Sequence, residues 1–330
     1  MKRLNCIRIF RIGITMGIAA ILLSGCLKNE WEECEKDGKA ELEKYISDNN
    51  ISDEYKKDGG LYYIPDTVGT GLSPVLNDYI VMNYTGMYLN GTIIETTDSS
   101  LKEKWDASGN FSDFVYGPAK FKYGYSRPGF NDGLSFMQEG GWATLIIPTE
   151  LAYYDCKPVK YTVNLLTIIK DPVAYEKSML LRYLSENGMD TTTNAYEGIY
   201  YKEYDDTGDT LAVTENDTLL IRFSGKYTYQ DKGSLMLKEF DSNIKDANPL
   251  KIVYGKDVVY SGAIKVMPEG FTTALDTMRK GTRAIAVLPY EKAFKSTGLV
   301  NVAYGYYIVP AYQTVIYDLY IEDIRRKPSK

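Results

Sequence analysis

The chain repeats one strand-forming segment, Asn77-Asp78-Tyr79-Ile80-Val81-Met82-Asn83-Tyr84-Thr85-Gly86, as Asn216-Asp217-Thr218-Leu219-Leu220-Ile221-Arg222-Phe223-Ser224-Gly225. Both copies are rich in β-forming residues and bounded by turn residues, a pattern typical of a strand. Shorter matches extend the repeat in the same order, at offsets of 138 to 141 residues. They are Gly60-Leu61-Tyr62-Tyr63 with Gly198-Ile199-Tyr200-Tyr201, Phe130 with Phe271, Met137 with Met278, Pro148 with Pro289, and Ala152-Tyr153 with Ala293-Phe294. Because a period of this length is about the size of a domain, the sequence predicts two copies of one domain.

Each copy combines several strands with one short helix. Short buried strands, each stopped by a proline, are predicted at 144–147 and 284–287, and closing strands at 161–165 and 315–319. A helical stretch interrupts each copy, at 130–138 and at 271–280. The predicted fold class is α+β, an antiparallel sheet with one short helix packed on it in each copy.

A helical pattern also precedes each copy. Leu42, Tyr45 and Ile46 have the spacing i, i+3, i+4 of an amphipathic helix, and Leu180, Tyr183 and Leu184 repeat it. The predicted organisation is a signal peptide at 1–25, an acidic tether at 26–38, a helix and loop at 39–59, the first domain at 60–171, a helical linker at 172–196, the second domain at 197–325 and a tail at 326–330.

The N-terminal residues resemble a bacterial lipoprotein signal. A basic head precedes an apolar run at 12–23, which is too short for a comfortable membrane span. The run ends in Leu23-Ser24-Gly25-Cys26, which resembles a lipobox whose cysteine is lipidated; an uncleaved anchor helix is the alternative. Acidic residues within 28–33 resemble the surface-export signal of Bacteroidetes lipoproteins, and a plain solvated tether is the alternative. We therefore expect a lipid on Cys26 to hold the protein on a membrane of the cell envelope, the outer membrane, with surface exposure if the export signal operates.

Composition argues against several kinds of chemistry. The chain has no histidine, which removes the usual general base and the commonest metal ligand. Loss of the signal would move the formal net charge from −6 to −10, and an acidic protein is a poor partner for nucleic acid. An oxidising periplasm permits a disulfide between Cys34 and Cys156, but the position of Cys34 in a tether favours two free thiols. We expect no metal, no cofactor and no nucleic-acid partner.

The order of motifs resembles the FKBP-type peptidyl-prolyl isomerase family. In the order of that family's pattern, the first copy has Tyr84-Thr85-Gly86, Gly117, Pro128-Gly129-Phe130, Gly133-Leu134, Met137, Ile147-Pro148 and Ala152-Tyr153. The second copy has Phe240-Asp241-Ser242, Gly255, Val266-Met267-Pro268-Glu269-Gly270-Phe271, Leu275, Met278, Leu288-Pro289, Ala293-Phe294 and Ile308-Val309-Pro310. The resemblance covers roughly 60–171 and 197–325, and it implies two FKBP-like domains, each a half-barrel sheet wrapped on its helix.

The resemblance also implies an aromatic pocket in each copy. The second copy supplies Phe240, Asp241, Met267, Phe271 on the floor, Phe294, Ile308 and Tyr317. The first supplies a less complete pocket of Tyr84, Glu95, Phe130 on the floor, Tyr153 and Tyr161. Two hydroxyls of the family pattern are missing from the second copy, because Phe223 stands where a Tyr would meet Asp241 and Phe294 where a Tyr would bind a substrate carbonyl. The first copy has a shortened flap, with 13 positions from Pro148 to Tyr161 against 28 from Pro289 to Tyr317.

The reaction of this family suits a chain without histidine. Rotation about an X-Pro bond crosses a barrier of about 18–20 kcal/mol and breaks no bond, so it requires no nucleophile or metal. A dry aromatic pocket favours the twisted, less polar amide. We expect a lipid-anchored peptidyl-prolyl isomerase and folding helper that acts on proline-containing polypeptide segments, with the second copy as the better catalyst. The alternatives are a non-catalytic surface lipoprotein that binds peptide or glycan through degenerate clefts, and a structural tandem that self-associates through its helices.

Overall fold

A computed structural model describes residues 30–111, 114–205, 209–231, 233–256 and 267–326. The predicted signal peptide, Cys26 and the end of the predicted tail lie outside the described residues, as does Val266 of the second helix motif. No described helix is long and apolar enough to cross a membrane.

The first sheet has six strands. They are β1 (Tyr62–Thr67), β2 (Tyr79–Tyr88), β3 (Ile93–Thr96), β4 (Ala119–Lys122), β5 (Trp142–Ile147) and β6 (Val159–Ile169). Their order is β1-β5-β6-β2-β3, and β4 pairs with β2 beside β3. The described pairings are antiparallel, as predicted.

The second sheet repeats this topology. It contains β7 (Ala195–Tyr196), β8 (Ile199–Asp205), β9 (Thr218–Asp231), β10 (Ser234–Ser242), β11 (Leu250–Val253), β12 (Arg283–Leu288) and β15 (Val315–Arg325). The order β8-β12-β15-β9-β10, with β11 on β9, matches that of the first sheet, and β7 is an addition at the edge. A separate hairpin of β13 (Leu299–Asn301) and β14 (Tyr306–Val309) lies between β12 and β15 in the chain. The repeat read from the sequence is therefore a repeat of fold, and the α+β class is confirmed.

One short helix packs on each sheet. Helix α3 (Pro128–Ser135) buries Phe130 and Leu134, and α5 (Glu269–Leu275) buries Phe271 and Leu275; α1 (30–48), α2 (Lys102–Trp105) and α4 (Pro172–Glu186) complete the helices. The predicted helices at 130–138 and 271–280 extend too far, because the chain turns after Ser135 and after Leu275. Met137 and Met278 remain buried, but they lie in those turns rather than on the helices.

The beginning of the described chain differs from the predicted tether. Residues 30–38 are helical and continue into the predicted amphipathic helix, so that α1 spans the described residues 30–48. A run of Glu and Lys has high helix propensity, and acidic composition alone does not distinguish an exposed helix from a tether. The Trp31 indole also donates a hydrogen bond to Glu35 one turn later.

A disulfide joins Cys34 of α1 to Cys156, in the loop before β6, with 5.7 Å between the Cα atoms. The expectation of two free thiols is therefore wrong. Gly38, one turn after Cys34, is buried against the same loop, and a Cβ there would lie 2.1 Å from the carbonyl oxygen of Cys156. Glycine thus permits the close approach that places the two cysteines together.

The repeated Asn-Asp pair has a structural role in each copy. Asn77 and Asn216 adopt left-handed φ angles of 76° and 66° in the turns before β2 and β9, a conformation that Asn tolerates better than most residues. The following Asp binds a basic side chain at the end of the closing strand. Asp78 lies 2.7 Å from Lys170, and Asp217 lies 2.9 Å from Arg326.

The chain divides into two compact units. The first comprises the described chain up to Leu76 with Tyr84–Thr96 and Tyr123–Leu165, and the second comprises Asn77–Asn83, Thr97–Lys122 and the described chain from Leu166 onward. The second unit has a continuous core that includes Phe223, Phe271, Leu319 and Tyr317, each at most 1 % exposed. The domain boundaries read from the repeat stay a prediction.

Candidate functional site

A carboxylate surrounded by phenols lies in the first unit. Tyr161 donates to Oε1 of Glu95 at 2.5 Å, Tyr153 donates to the same oxygen at 3.1 Å, and Tyr84 donates to Oε2 at 3.3 Å. The floor residue Phe130 is 4.6 Å from the Tyr161 ring and 6.0 Å from the Tyr84 ring, between centroids. All five residues predicted for this pocket come together, and we call them the first cluster.

The hydroxyls of the first cluster are directed at Glu95, and those of Tyr153 and Tyr161 also lie next to each other. Burial, reinforced by the charge of Glu95, raises the pKa of Tyr84, Tyr153 and Tyr161 above the ordinary value. These phenols therefore remain protonated and act as donors. Each carries one proton, and the Tyr153 and Tyr161 oxygens are also only 2.8 Å apart. In this arrangement, Tyr153 directs its proton to Glu95 or Tyr161 and not toward a substrate.

The rim of the first cluster is covered by a cation. The Arg127 guanidinium lies 3.5 Å from the centroid of the Tyr153 ring, a cation–π contact. Next to it is a cavity of about 720 Å³ whose lining includes Trp31, Tyr125, Arg127, Tyr153, Tyr154 and Cys156. Sequence reasoning missed Arg127, although its position directly before Pro128 places it at the start of α3.

A chain of aromatic rings lies in the second unit. Phe240 is 5.8 Å from Phe294 and 5.9 Å from Tyr317, and Tyr317 is 4.9 Å from the floor residue Phe271, all with edge-on geometry. Edge-to-face rings at such distances attract one another through their quadrupoles. With Asp241, these four residues are called the second cluster. The remaining predicted residues, Met267 and Ile308, are half-buried and pack against the same hydrophobic core.

The two clusters occupy equivalent places in their sheets. Gly86 pairs with Glu95 and Gly225 pairs with Asp241, and the residue before each carboxylate, Ile94 or Phe240, is the extra residue of a β-bulge. A bulge re-aims a side chain and is common beside active sites. The pairing indicates that Ile94-Glu95 and Phe240-Asp241 are equivalent.

The carboxylate environments differ between the clusters. Burial raises the pKa of Tyr317 well above its ordinary value, and the charge of Asp241 acts in the same direction, so this phenol stays neutral. Phe223 and Phe294 stand where the first cluster has Tyr84 and Tyr153, so two hydroxyls are replaced by ring edges. The second cluster is thus the more apolar of the two.

One glycine in each copy lets a tyrosine ring pack across the neighbouring strand. Tyr161 of β6 packs over Gly86 of β2, and Tyr317 of β15 packs over Gly225 of β9. A Cβ on Gly86 would lie 2.4 Å from the Tyr161 ring, and a Cβ on Gly225 would lie 2.8 Å from both Tyr317 and Phe240. These distances are shorter than a Cβ contact can be, so glycine is required at both positions. This explains the glycine of the Tyr-Thr-Gly and Phe-Ser-Gly motifs.

Comparison with known proteins identifies this architecture. Residues 210–322 match the family model for FKBP-type peptidyl-prolyl cis-trans isomerase. The match to the FKBP-type family therefore lies within the second copy. The matched residues contain Phe240, Asp241, Phe271, Phe294 and Tyr317, the whole of the second cluster.

Individual FKBP-type relatives are similar over part of their length. A probable FKBP-type peptidyl-prolyl cis-trans isomerase FkpA of Neisseria meningitidis is 30 % identical over 126 residues, which are 37 % of this chain and 41 % of that protein. The outer membrane protein MIP of Legionella longbeachae is 29 % identical over 121 residues, 35 % of this chain and 46 % of that protein. The chain thus spans less than half the length of these relatives.

Among solved structures, that of FkpA from Escherichia coli is similar, with 22 % identity and a TM-score of 0.36 over 48 % of this chain and 71 % of that one.

Within the described residues, no group of three or more Cys, Asp or Glu side chains could hold a metal ion.

Proposed function

We propose that the protein is a peptidyl-prolyl cis-trans isomerase whose catalytic site is the second cluster. The observation that carries this proposal is the contiguous set of rings from Phe240 and Phe294 through Tyr317 to Phe271, inside the residues that match the family model. Phe240 and Phe294 are half-buried, so they can contact a ligand, whereas Phe271 and Tyr317 are buried and form the base.

The chemistry of the second cluster suits rotation about an imide bond. The planar imide has a larger dipole than the twisted form, so an environment of ring edges and aliphatic groups destabilises the planar form more. Met267 and Ile308 add aliphatic surface to the rings. Partial removal of a barrier of about 18–20 kcal/mol by desolvation and orientation needs no proton transfer.

The first cluster does not offer the same environment. Its donors are bound to Glu95, and its Tyr153 ring is covered by Arg127. We therefore assign catalysis to the second unit, which is also the copy with the long segment between Pro289 and Tyr317.

An isomerisation assay tests this assignment. The full chain should accelerate cis-to-trans conversion of a proline tetrapeptide, and Phe240→Ala should lower kcat/KM at least tenfold, because the substrate would lose an aromatic wall. Tyr153→Phe, the matched change in the first cluster, should leave kcat/KM within twofold. The catalytic proposal fails if the folded full chain gives no acceleration above the uncatalysed rate.

Ligand binding without catalysis is a second candidate function, for the first unit. The cavity beside Arg127 and Tyr153 has exposed aromatic side chains at its rim, with Tyr154 98 % and Tyr125 71 % exposed. Exposed rings beside an arginine suit a peptide or glycan ligand. Calorimetric titration of proline peptides and oligosaccharides tests this, and Tyr154→Ala should weaken any affinity found without changing isomerase activity.

Membrane attachment through a lipid on Cys26 is the third part of the proposal. It rests on the lipobox-like sequence, which lies outside the described residues. The relative MIP of Legionella longbeachae is named an outer membrane protein, which fits this location. Mass spectrometry of the N-terminal peptide should detect a diacylglyceryl cysteine, and Cys26→Ser should release the protein from the membrane fraction.

A further inference from the structure

A short Gly-Pro sequence packs on the hairpin of the second unit. We call Phe114–Pro118, which reads Phe-Val-Tyr-Gly-Pro, the Gly-Pro segment; it belongs to the second unit and its residues are half-buried. The Phe114 ring lies 5.0 Å from the Tyr306 ring, with edge-on geometry. Val115 packs against the hydrophobic core that contains Phe271 and Tyr317, as do Phe240 and Phe294 of the second cluster.

Neighbouring aromatic residues strengthen this contact. Phe111 lies 5.0 Å from Tyr304 at the turn of the β13–β14 hairpin, and Trp105 stacks on Phe111 at 4.5 Å. The hairpin lies between Phe294 and Tyr317 in the chain, and Ile308 of the predicted pocket is on β14. The anchors of the Gly-Pro segment therefore sit on the element that carries part of the candidate site.

The other end of the Gly-Pro segment is held by a buried lysine. Lys238 Nζ donates a hydrogen bond of 3.4 Å to the carbonyl oxygen of Pro118. Lys238 stands two residues before Phe240 on β10, and its Nζ is 5.7 Å from the Tyr227 ring, which stacks on Phe240 at 6.3 Å. Desolvation lowers the pKa of Lys238 to about 7, because burial disfavours the charged ammonium. The Pro118 carbonyl is a hydrogen-bond acceptor for this buried amine.

The Gly-Pro segment thus has the features of a bound peptide. It carries an aromatic residue at one end, an aliphatic residue against the core, a carbonyl on a buried donor, and a glycine in front of its proline. Gly117 has a φ of 97°, which favours glycine, and its N–H donates to the Thr97 carbonyl at 2.7 Å. The turn that this fixes presents the Pro118 carbonyl to Lys238.

We infer that the groove between the β13–β14 hairpin and Lys238 is a peptide-binding subsite for aromatic–aliphatic–aromatic–Gly-Pro sequences, and that the Gly-Pro segment is its intramolecular ligand. The inference rests on the proposed isomerase function of the adjoining second cluster and extends it to a substrate class. An external segment of this class binds only when it displaces the internal one. Lys238 then holds the carbonyl of the incoming proline.

Competition between the two ligands is measurable on the full chain. The probe is a fluorescently labelled, end-blocked peptide Phe-Val-Tyr-Gly-Pro, and binding is followed by anisotropy. Phe114→Ala should raise the affinity for this peptide about three- to tenfold, because the internal ligand loses an aromatic anchor. Phe136→Ala, at an exposed phenylalanine of the first unit, is the matched control and should leave the affinity unchanged.

Two further variants keep the test decisive. Phe111→Ala, at the outer side of the anchor, should have the same direction with a smaller effect, and it serves if Phe114→Ala fails to fold. Adding Lys238→Met to the Phe114→Ala or the Phe111→Ala variant should abolish the gain in peptide affinity. If the anchor variants bind the peptide no more tightly than the Phe136→Ala control, the inference is overturned.

The isomerase assay separates this inference from the proposed function. If Phe114→Ala binds the peptide more tightly but no form of the protein isomerises it, the subsite stands and the catalytic proposal fails. If the wild type isomerises proline peptides but the anchor variants change neither affinity nor kcat/KM, the catalytic proposal stands and the subsite is wrong.

Discussion

Tyr161 donates its hydroxyl to Glu95 at 2.5 Å, whereas the equivalent Tyr317 shares its pocket with Asp241, Phe240 and Phe294. The same fold therefore contains one site in which phenols surround a carboxylate and one in which ring edges predominate. In the proposed function, desolvation promotes imide rotation, and this difference is the reason that catalysis is proposed for the second unit.

Restoring one missing hydroxyl should improve catalysis. Phe294→Tyr adds a donor at the half-buried rim of the second cluster, at the place where the family pattern has a hydroxyl for the substrate carbonyl. A net hydrogen bond of about 0.5–1.5 kcal/mol in the transition state corresponds to roughly a two- to tenfold increase in kcat/KM. The stopped-flow peptide assay measures it; an unchanged or lower kcat/KM in a folded variant would show that the substrate carbonyl does not lie near residue 294.

Substitutions at the equivalent glycines Gly86 and Gly225 should have similar effects on stability but different effects on activity. Gly86→Ala and Gly225→Ala each place a Cβ against a buried ring, so both should lower the free energy of unfolding by about 1–3 kcal/mol. Only Gly225→Ala displaces Phe240 and Tyr317, so only that variant should lower kcat/KM. Urea unfolding and the peptide assay are compared on both variants, and an equal loss of activity in the two would contradict the assignment of the site.

The ion pair between Asp217 and Arg326 should make the free energy of unfolding depend on pH in the acidic range. Hydrogen bonds from Arg326, with further ones from Thr214, lower the pKa of Asp217 from 3.8 to about 2. Because the folded state favours the ionised form, this stabilisation is complete above pH 4 and is lost as the pH falls toward 2.

Removal of the arginine checks this dependence. Arg326→Ala should lower the unfolding free energy by about 1–3 kcal/mol at pH 7, and the difference from the wild type should shrink between pH 4 and pH 2. Lys170→Ala, at the equivalent pair with Asp78, is the comparison for the first copy. A difference that stays constant from pH 7 to pH 2 would exclude the charge of Asp217 as its origin.

The disulfide should stabilise the first unit. The Cys34–Cys156 link closes a segment of 122 residues, and a loop of that length is constrained by about 2–5 kcal/mol in the unfolded state. Cys34→Ser should lower the urea midpoint in oxidising buffer, and dithiothreitol should lower the midpoint of the wild type to the same value. Equal midpoints for oxidised and reduced wild type would contradict a stabilising link.

The sequence could predict the main strands and the short helices because their motifs occur twice, and it could predict the two sets of pocket residues because the order of motifs resembles a known family. The strands beginning at Tyr79 and Thr218 and the helices that carry Phe130 and Phe271 follow from repeated local patterns. The pocket residues around Glu95 and Phe240 follow from the resemblance to the FKBP-type family. The contacts that involve unrepeated residues could not be predicted. Arg326 and Lys238 belong to no motif. The pairing of Cys34 depends on α1, and the acidic composition of residues 30–38 fits a tether as well as it fits a helix.

The Gly-Pro segment is another such case. Trp105, Phe111, Phe114 and Tyr116 form a dense aromatic group in the sequence between β3 and β4. That density indicates a buried segment, but a single sequence contains no signal for the surface that buries it. The contacts with Tyr304 and Tyr306 join positions almost 200 residues apart.

Matched changes at the two equivalent rim residues, Phe294 and Tyr153, show whether the second cluster or the first catalyses isomerisation. The measurement is kcat/KM of the full chain on a proline tetrapeptide for Phe294→Ala and Tyr153→Ala, with circular dichroism to establish that both variants are folded. Phe294→Ala should lower kcat/KM about tenfold, equivalent to about 1.4 kcal/mol, because the substrate loses an aromatic wall of the apolar pocket, and Tyr153→Ala should leave kcat/KM within twofold. A larger loss from Tyr153→Ala than from Phe294→Ala would place the active site in the first unit instead.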